Sequence, residues 1–235
     1  MRHAVLVIVG IALAILPAHG QAGGAEQHVA ALKKSLASSQ ASLRKYEWIE
    51  TSVISLKGEE KSRKQNRCYY GADGKVQKVP MGDPPPQQQA SGGGRRGGRL
   101  KKHIVENKKE EMQDYMEQAV ALIHQYVPPN AERIQAAKDA GKLALTPGQG
   151  RVRLELTDYL KAGDLLAIEI DPATDSLLGL SVSTYLDKAE DQVKLEVREG
   201  ALPDGTIYTA QTTLDAPAKN IRVVIENSGH RPVSQ

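Results

Sequence analysis

The chain has no phenylalanine, one tryptophan and one cysteine in 235 residues. Without Phe, an apolar interior has to be assembled from Leu, Ile, Val, Ala, Met and Tyr. A single thiol, Cys68, excludes an intramolecular disulfide in any compartment. A chain of this length does not need one, because it can bury a core of its own. No His stands within four residues of Cys68 to act as its base, so Cys68 reads as a small buried residue in a strand. The six His residues are scattered singly, and no pair has metal-ligand spacing. The formal net charge of +3 is too small to imply a polyanion or polycation partner. Also missing are a Gly-rich phosphate loop, a nucleophile elbow around any Ser and a Cys/His arrangement. Carboxylates are plentiful, but they sit on charged faces and in turns. No enzyme activity, catalytic residue, metal or cofactor is therefore expected.

The longest apolar run, residues 4–16, is about 13 residues, short of the ~20 that a spanning helix needs. It follows the short basic start Met1, Arg2 and His3 and precedes the small residues Gly20 and Ala22, the pattern of a secretory signal peptide. Residues 1–22 are expected to be removed, leaving an exported, periplasmic chain that begins near Gly23. No Cys follows the run to carry a lipid. Loss of Arg2 lowers the formal charge of +3 by one. Residues 23–235 fit a single domain.

Within residues 151–227, six short strands follow one another with no helix between them. Val152, Leu154 and Leu156 alternate with Arg151, Arg153 and Glu155, which puts apolar and charged side chains on opposite faces. Val193, Leu195 and Val197 repeat the pattern, as do Ile221, Val223 and Ile225. Turns are expected at residues 171–175 and 203–205. Upstream, residues 46–56 are β-branched and aromatic, residues 63–70 should pair with them, and Ala72, Asp73 and Gly74 turn the chain into a third strand at 75–79.

Three helices are expected. Val29, Leu32, Leu36 and Leu43 mark one face over residues 26–45. Met112, Tyr115, Met116, Ala119, Ile123 and Tyr126 mark another over 106–127, stopped by Pro128 and Pro129. Asn130 caps a short one over 131–140, ended by Gly141. Residues 80–100 are rich in Pro, Gln, Gly and Arg and are expected to form a mobile loop. Arg95, Arg96 and Arg99 there offer transient contact with an anionic membrane surface. An RGG-type nucleic-acid segment is the weaker reading in an exported chain, and no nucleic-acid partner is expected.

A sheet with one apolar face requires a cover, and the amphipathic helices are the available covers. The charged outer face argues against a transmembrane barrel, whose outward residues are apolar. The expectation is an α+β fold: a strongly curved antiparallel sheet, a half-barrel, with two to three helices over its concave face.

The order of signal peptide, leading helix, Tyr46 and Trp48 opening the first strand, and Asp73, Gly74 and Lys75 in the early turn resembles the LolA/LolB lipoprotein-carrier fold. Ile170, Asp171, Thr174 and Leu177, then Leu202, Pro203, Asp204 and Gly205, extend the resemblance over most of the mature chain. The chain departs from that family in its Gly/Arg loop and in lacking an arginine matched to the lid latch, so no functional residue is carried over. The resemblance implies a periplasmic binding or carrier module for an apolar ligand such as lipid acyl chains or a lipoprotein. The candidate lining is Val152, Leu154, Leu156, Ile168, Ile170, Leu180, Val182, Val193, Leu195, Ile221 and Val223 on the sheet, with Met112 and Met116 on the second helix. For most of these residues an ordinary place in the core is the favoured reading. The alternative is an extracytoplasmic interaction or sensor subunit that uses the fold as a scaffold for an envelope protein partner. The oligomeric state is open.

Overall fold

The computed structural model describes residues 22–82 and 98–233. Helix α1 (Ala22–Leu43) leads into β1 (Tyr46–Leu56), β2 (Glu59–Tyr70) and β3 (Val76–Met81). Helices α2 (Gly98–Ile123) and α3 (Ala131–Asp139) follow. The chain then runs through β4 (Leu143–Gly148), β5 (Arg151–Thr157), β6 (Leu165–Asp171), β7 (Ser176–Tyr185), β8 (Gln192–Ala201), β9 (Ile207–Ala216) and β10 (Ile221–Pro232). All ten strands form one open, curved antiparallel sheet in the order β3-β2-β1-β10-β9-β8-β7-β6-β5-β4. The expected fold class is therefore observed.

Local chemistry sets the turns. Lys57 (φ 54°) and Gly58 (φ 79°) occupy the two-residue connection between Leu56 and its partner Glu59, the doubly left-handed turn whose twist matches a tight hairpin. At the next turn Asp73 Oδ1 accepts a hydrogen bond from Lys75 N (3.0 Å), and Gly74 takes φ 73°. Asn130 caps α3 as expected, accepting from Arg133 N at 3.0 Å.

Several boundaries differ from expectation. Helix α2 begins at Gly98, so the expected loop is shorter than residues 80–100, and β3 takes its first residues. Arg95 and Arg96 lie outside the described residues, and Arg99 falls in the first turn of α2. Strand β4 was not expected: it is a short edge strand, five of its six residues are exposed, and Pro147, which has no N–H to give, is tolerated there because nothing pairs beyond it.

The core lies between the apolar face of β5–β9 and the helices. Ala119, Leu122 and Ile123 of α2, Tyr126 and Val127 just beyond it, Ile134 of α3 and Leu32 of α1 pack with the strand residues in one buried cluster. Each fully buried Leu, Ile or Val there contributes about 1.5–3 kcal/mol through the hydrophobic effect.

Candidate functional site

Strand register places the expected lining residues in cross-strand rows. Leu156, Leu166, Val182, Leu195, Leu214, Val223 and Ile54 stand opposite one another from β5 across to β1. From Leu156 to Leu214 this row is buried under the helices. Leu154, Ile168 and Leu180 on the neighbouring row are buried in the same cluster, as is Val193. Ile221 is buried in a smaller second cluster with Tyr115 and Ala216. Eight of the expected lining residues, Leu154, Leu156, Ile168, Leu180, Val182, Val193, Leu195 and Ile221, are thus filled over by protein side chains. Val152 and Ile170, paired with each other at the β5–β6 end, are half-buried.

The row changes character at β10. Val223 is half-buried, and Ile54 beyond it is 42 % exposed. Met112 and Met116 of α2 are half-buried and pack with Leu56 and Val223 against the second cluster. An apolar seam is therefore left between α2 and the β10–β1 pair. Its two sides are held in place from the helix: Tyr115 Oη donates to Asp191 Oδ1 (2.8 Å), and Lys219 Nζ donates to Glu111 Oε1 (3.1 Å) while lying 5.5 Å from the Tyr115 ring centre. The Tyr115 hydroxyl is raised well above its ordinary range by burial and by the Asp191 carboxylate.

Farther along β1, polar and aromatic groups replace the aliphatic ones. Trp48 lies near Tyr70 and stacks on His230, whose ring also lies 4.1 Å from that of Tyr208. Trp48 Nε1 donates to Asn227 Oδ1 (3.0 Å). Glu50 is buried and takes both hydrogen bonds from Lys78 Nζ at 2.5 and 2.6 Å. Cys68 is buried beside this pair, and burial first, with Glu50 second, pushes its thiol up to about 11. A thiol held that high is inert at neutral pH, as expected for Cys68. Glu199 accepts from Thr209 Oγ1 (3.2 Å), and burial pushes its carboxyl up to about 7.

The opposite face of the sheet carries the charged residues, and over β5–β10 they line a half-open cavity of about 660 Å³. Its floor contains Gly179, Ser181 and Ser183 of β7 and Thr213 of β9. At one end the charges are paired with one another: Arg151 Nη1 to Glu169 Oε2 (3.0 Å), and Arg153 to Glu155 (2.8 Å) and Glu169 (2.8 Å). Arg198 donates to Gln211 and lies 3.6 Å from Glu196. Toward β8–β10 the pairing stops. Ser183, Lys194, Asp215 and Arg222 stand directly across from one another on β7, β8, β9 and β10, and none of their side chains makes a hydrogen bond or salt bridge to another described residue. This face escaped the sequence reading, which took charged alternation as a solvated surface. The available signal was the run Gly179, Ser181 and Ser183, small residues at every second position of a strand whose flanking strands carry long charged ones.

No protein-family model and no curated protein matches the sequence. Among solved structures, a DUF1329 family protein from Desulfovibrio piger aligns over 86 % of this chain and 92 % of its own, with 13 % identity and a TM-score of 0.33. A likeness at that level carries no argument about function.

Proposed function

We propose that this protein is an exported binding module for an apolar chain, such as a lipid acyl group, and that the chain lies in the seam formed by Met112 and Met116 against Leu56, Val223 and Ile54. The observation that carries this reading is the apolar row that runs unbroken under the helices and then emerges half-covered at Val223 and exposed at Ile54. Water at that end is in contact with aliphatic surface that an acyl chain would cover, at about 25 cal/mol per Å². Methionines suit such a wall because the unbranched thioether adapts to more than one occupant. The resemblance to lipoprotein carriers in the order of elements supports the same reading, with the site moved from the sealed β5–β9 face to the β10–β1 margin.

Uptake of a fluorescent fatty acid by the full mature chain tests this. Ile54→Lys, at an exposed position, and Met112→Lys, at a half-buried one, are expected to weaken uptake roughly tenfold each, since each removes on the order of one buried aliphatic group from the complex. Uptake that is absent in the wild type, or unchanged in both variants, would sink the carrier reading. The sealed interior of β5–β9 would then favour a scaffold that serves a protein partner.

A further inference from the structure

From the face of the sheet away from the helices we infer that the cavity is a second binding site, for a small polyhydroxylated anion such as a sugar phosphate or sugar acid, held by Ser181, Ser183, Lys194, Thr213, Asp215 and Arg222. These six polar side chains are neighbours by register: Ser183, Lys194, Asp215 and Arg222 form one cross-strand row, and Ser181 and Thr213 flank Glu196 in the next. All six line the same cavity of about 660 Å³, a size suited to a small molecule. None of the six has a hydrogen-bonding or ionic partner among the described residues. Elsewhere on this face the long side chains satisfy one another, as Arg151, Arg153 and Glu169 do.

Thr213 is the least exposed of them, at 7 %, and lines the cavity floor; its hydroxyl makes no hydrogen bond to a described residue and is not sealed from solvent, so a ligand oxygen can reach it.

The mixture of groups selects the ligand's chemistry. Lys194 and Arg222 are two cations without a carboxylate of their own, which match one phosphate or carboxylate group. Asp215 stands between them as an acceptor and opposes a bare anion, but it accepts hydrogen bonds from hydroxyls. A neutral sugar would leave the cations unused, and inorganic phosphate would leave Asp215 in conflict. A polyol that carries one anionic group answers all three, with Ser181, Ser183 and Thr213 giving or accepting as the hydroxyls require.

Isothermal titration of the full mature chain with glucose 6-phosphate, glucuronate, glucose and inorganic phosphate tests the assignment. Glucose 6-phosphate, glucuronate or both are expected to bind at least tenfold more tightly than glucose or phosphate, and which of the two prevails tells phosphate from carboxylate. Lys194→Gln and Arg222→Gln should each weaken that binding about tenfold. Asp215→Asn separates the roles: it should weaken the sugar anion severalfold while it tightens inorganic phosphate, an inversion that a merely structural residue would not produce. Equal affinity for glucose and the sugar anions, no binding of either sugar anion at millimolar concentration, or Asp215→Asn moving both ligands in the same direction would each overturn the proposal. The substitutions lie at the surface of paired strands, and an unchanged unfolding midpoint confirms that each variant is folded.

Discussion

Asp164 is a buried carboxylate with four donors aimed at it. Tyr126 Oη donates at 2.5 Å, and the backbone N–H groups of Tyr159, Leu160 and Lys161 donate at 2.6, 3.0 and 2.7 Å. Tyr126 also lies 2.7 Å from Thr184 Oγ1, so one side chain ties the end of α2 to the loop before β6 and to β7. Removing the acceptor leaves three backbone donors unmatched and the Tyr126 hydroxyl with Thr184 alone, at about 1–3 kcal/mol for each group that water cannot reach. Asp164→Ala is therefore expected to lower unfolding stability by roughly 3–5 kcal/mol, the range for breaking a buried charged network. Tyr126→Phe, which removes one donor and keeps the ring, should cost about 1–2 kcal/mol. Urea unfolding of the two variants checks both, and equal losses would show that the carboxylate is not the hub. Nothing in the sequence around Asp164 distinguished it from other loop carboxylates: three of its donors are backbone N–H groups of its own loop, which any residue type supplies, and the fourth, Tyr126, meets it only in the fold.

Glu199 gives a pH dependence at the same scale. Its carboxyl is raised by burial to about 7 in the folded chain, above its ordinary 4.5. Between those values the folded state holds a proton that the unfolded state has released, so this residue makes stability fall as pH rises from 4.5 to 7 and leaves a constant penalty above that. Glu199→Gln keeps an acceptor for Thr209 and never ionises. It should be as stable as the wild type at pH 4 and more stable at pH 8 by on the order of 1–2 kcal/mol, less than ~1.4 kcal/mol per pKa unit would give, because the side chain retains some contact with water. His230, which burial shifts downward, works in the opposite sense as acid is added, but it is present in both proteins and drops out of the difference. Thermal melts of the pair across pH 4–8 would show the gap, and a gap that is the same at every pH would refute it.

At the scale of single elements, the strands with a strict period of two were legible and the irregular ones were not. β5, β8 and β10 announced themselves by alternation because one face is buried and the other is charged. β4 carried no such mark, since an edge strand with most of its residues exposed has no face to enforce a pattern. The start of α2 was hidden for a similar reason: composition rich in Gly and Arg argues for a loop, and helix boundaries are poorly fixed by composition. β7 holds the clearest local constraint. The register with β6 shifts between Glu169 and Ile170, and at Gly179 a Cβ would sit 2.5 Å from the Val197 carbonyl oxygen on β8. Only glycine allows that approach, and it also keeps the cavity floor low. Gly179→Ala must push β8 away or break the pairing of Gly179 with Arg198, so a loss of about 1–3 kcal/mol in urea unfolding is expected. Wild-type stability in this variant would show that the two strands separate without penalty.

For the whole molecule, the informative link is the one strand order that sequence patterning could not supply. The first three strands form one meander and β4 to β9 another, and β10 is the strand that joins them, paired with β9 on one side and β1 on the other. Tyr46 thereby stands opposite Pro232, and Lys45 accepts a hydrogen bond from Val233 N (2.8 Å), contacts between the start of β1 and the last described residues. Such long-range pairing must be closed before it stabilises anything, which makes folding slow and places the decisive contacts last in synthesis. The two binding proposals both hang on this strand as well: Val223 faces the apolar seam, and Arg222, its neighbour in the chain, faces the cavity on the other side. A chain ended after Asn220 would lose Ile221 and Val223 from the packed face and expose the edges of β1 and β9 together. It is expected to show no cooperative unfolding transition and to aggregate, whereas a chain ended after Val233 should melt as the full one does. Because the missing piece is one strand fitted between two existing edges, a synthetic peptide of residues 221–235 should restore a cooperative transition to the shortened chain by adding to both edges. If the shortened chain unfolds cooperatively without the peptide, the two meanders are independent units, and the joining role assigned to β10 is wrong.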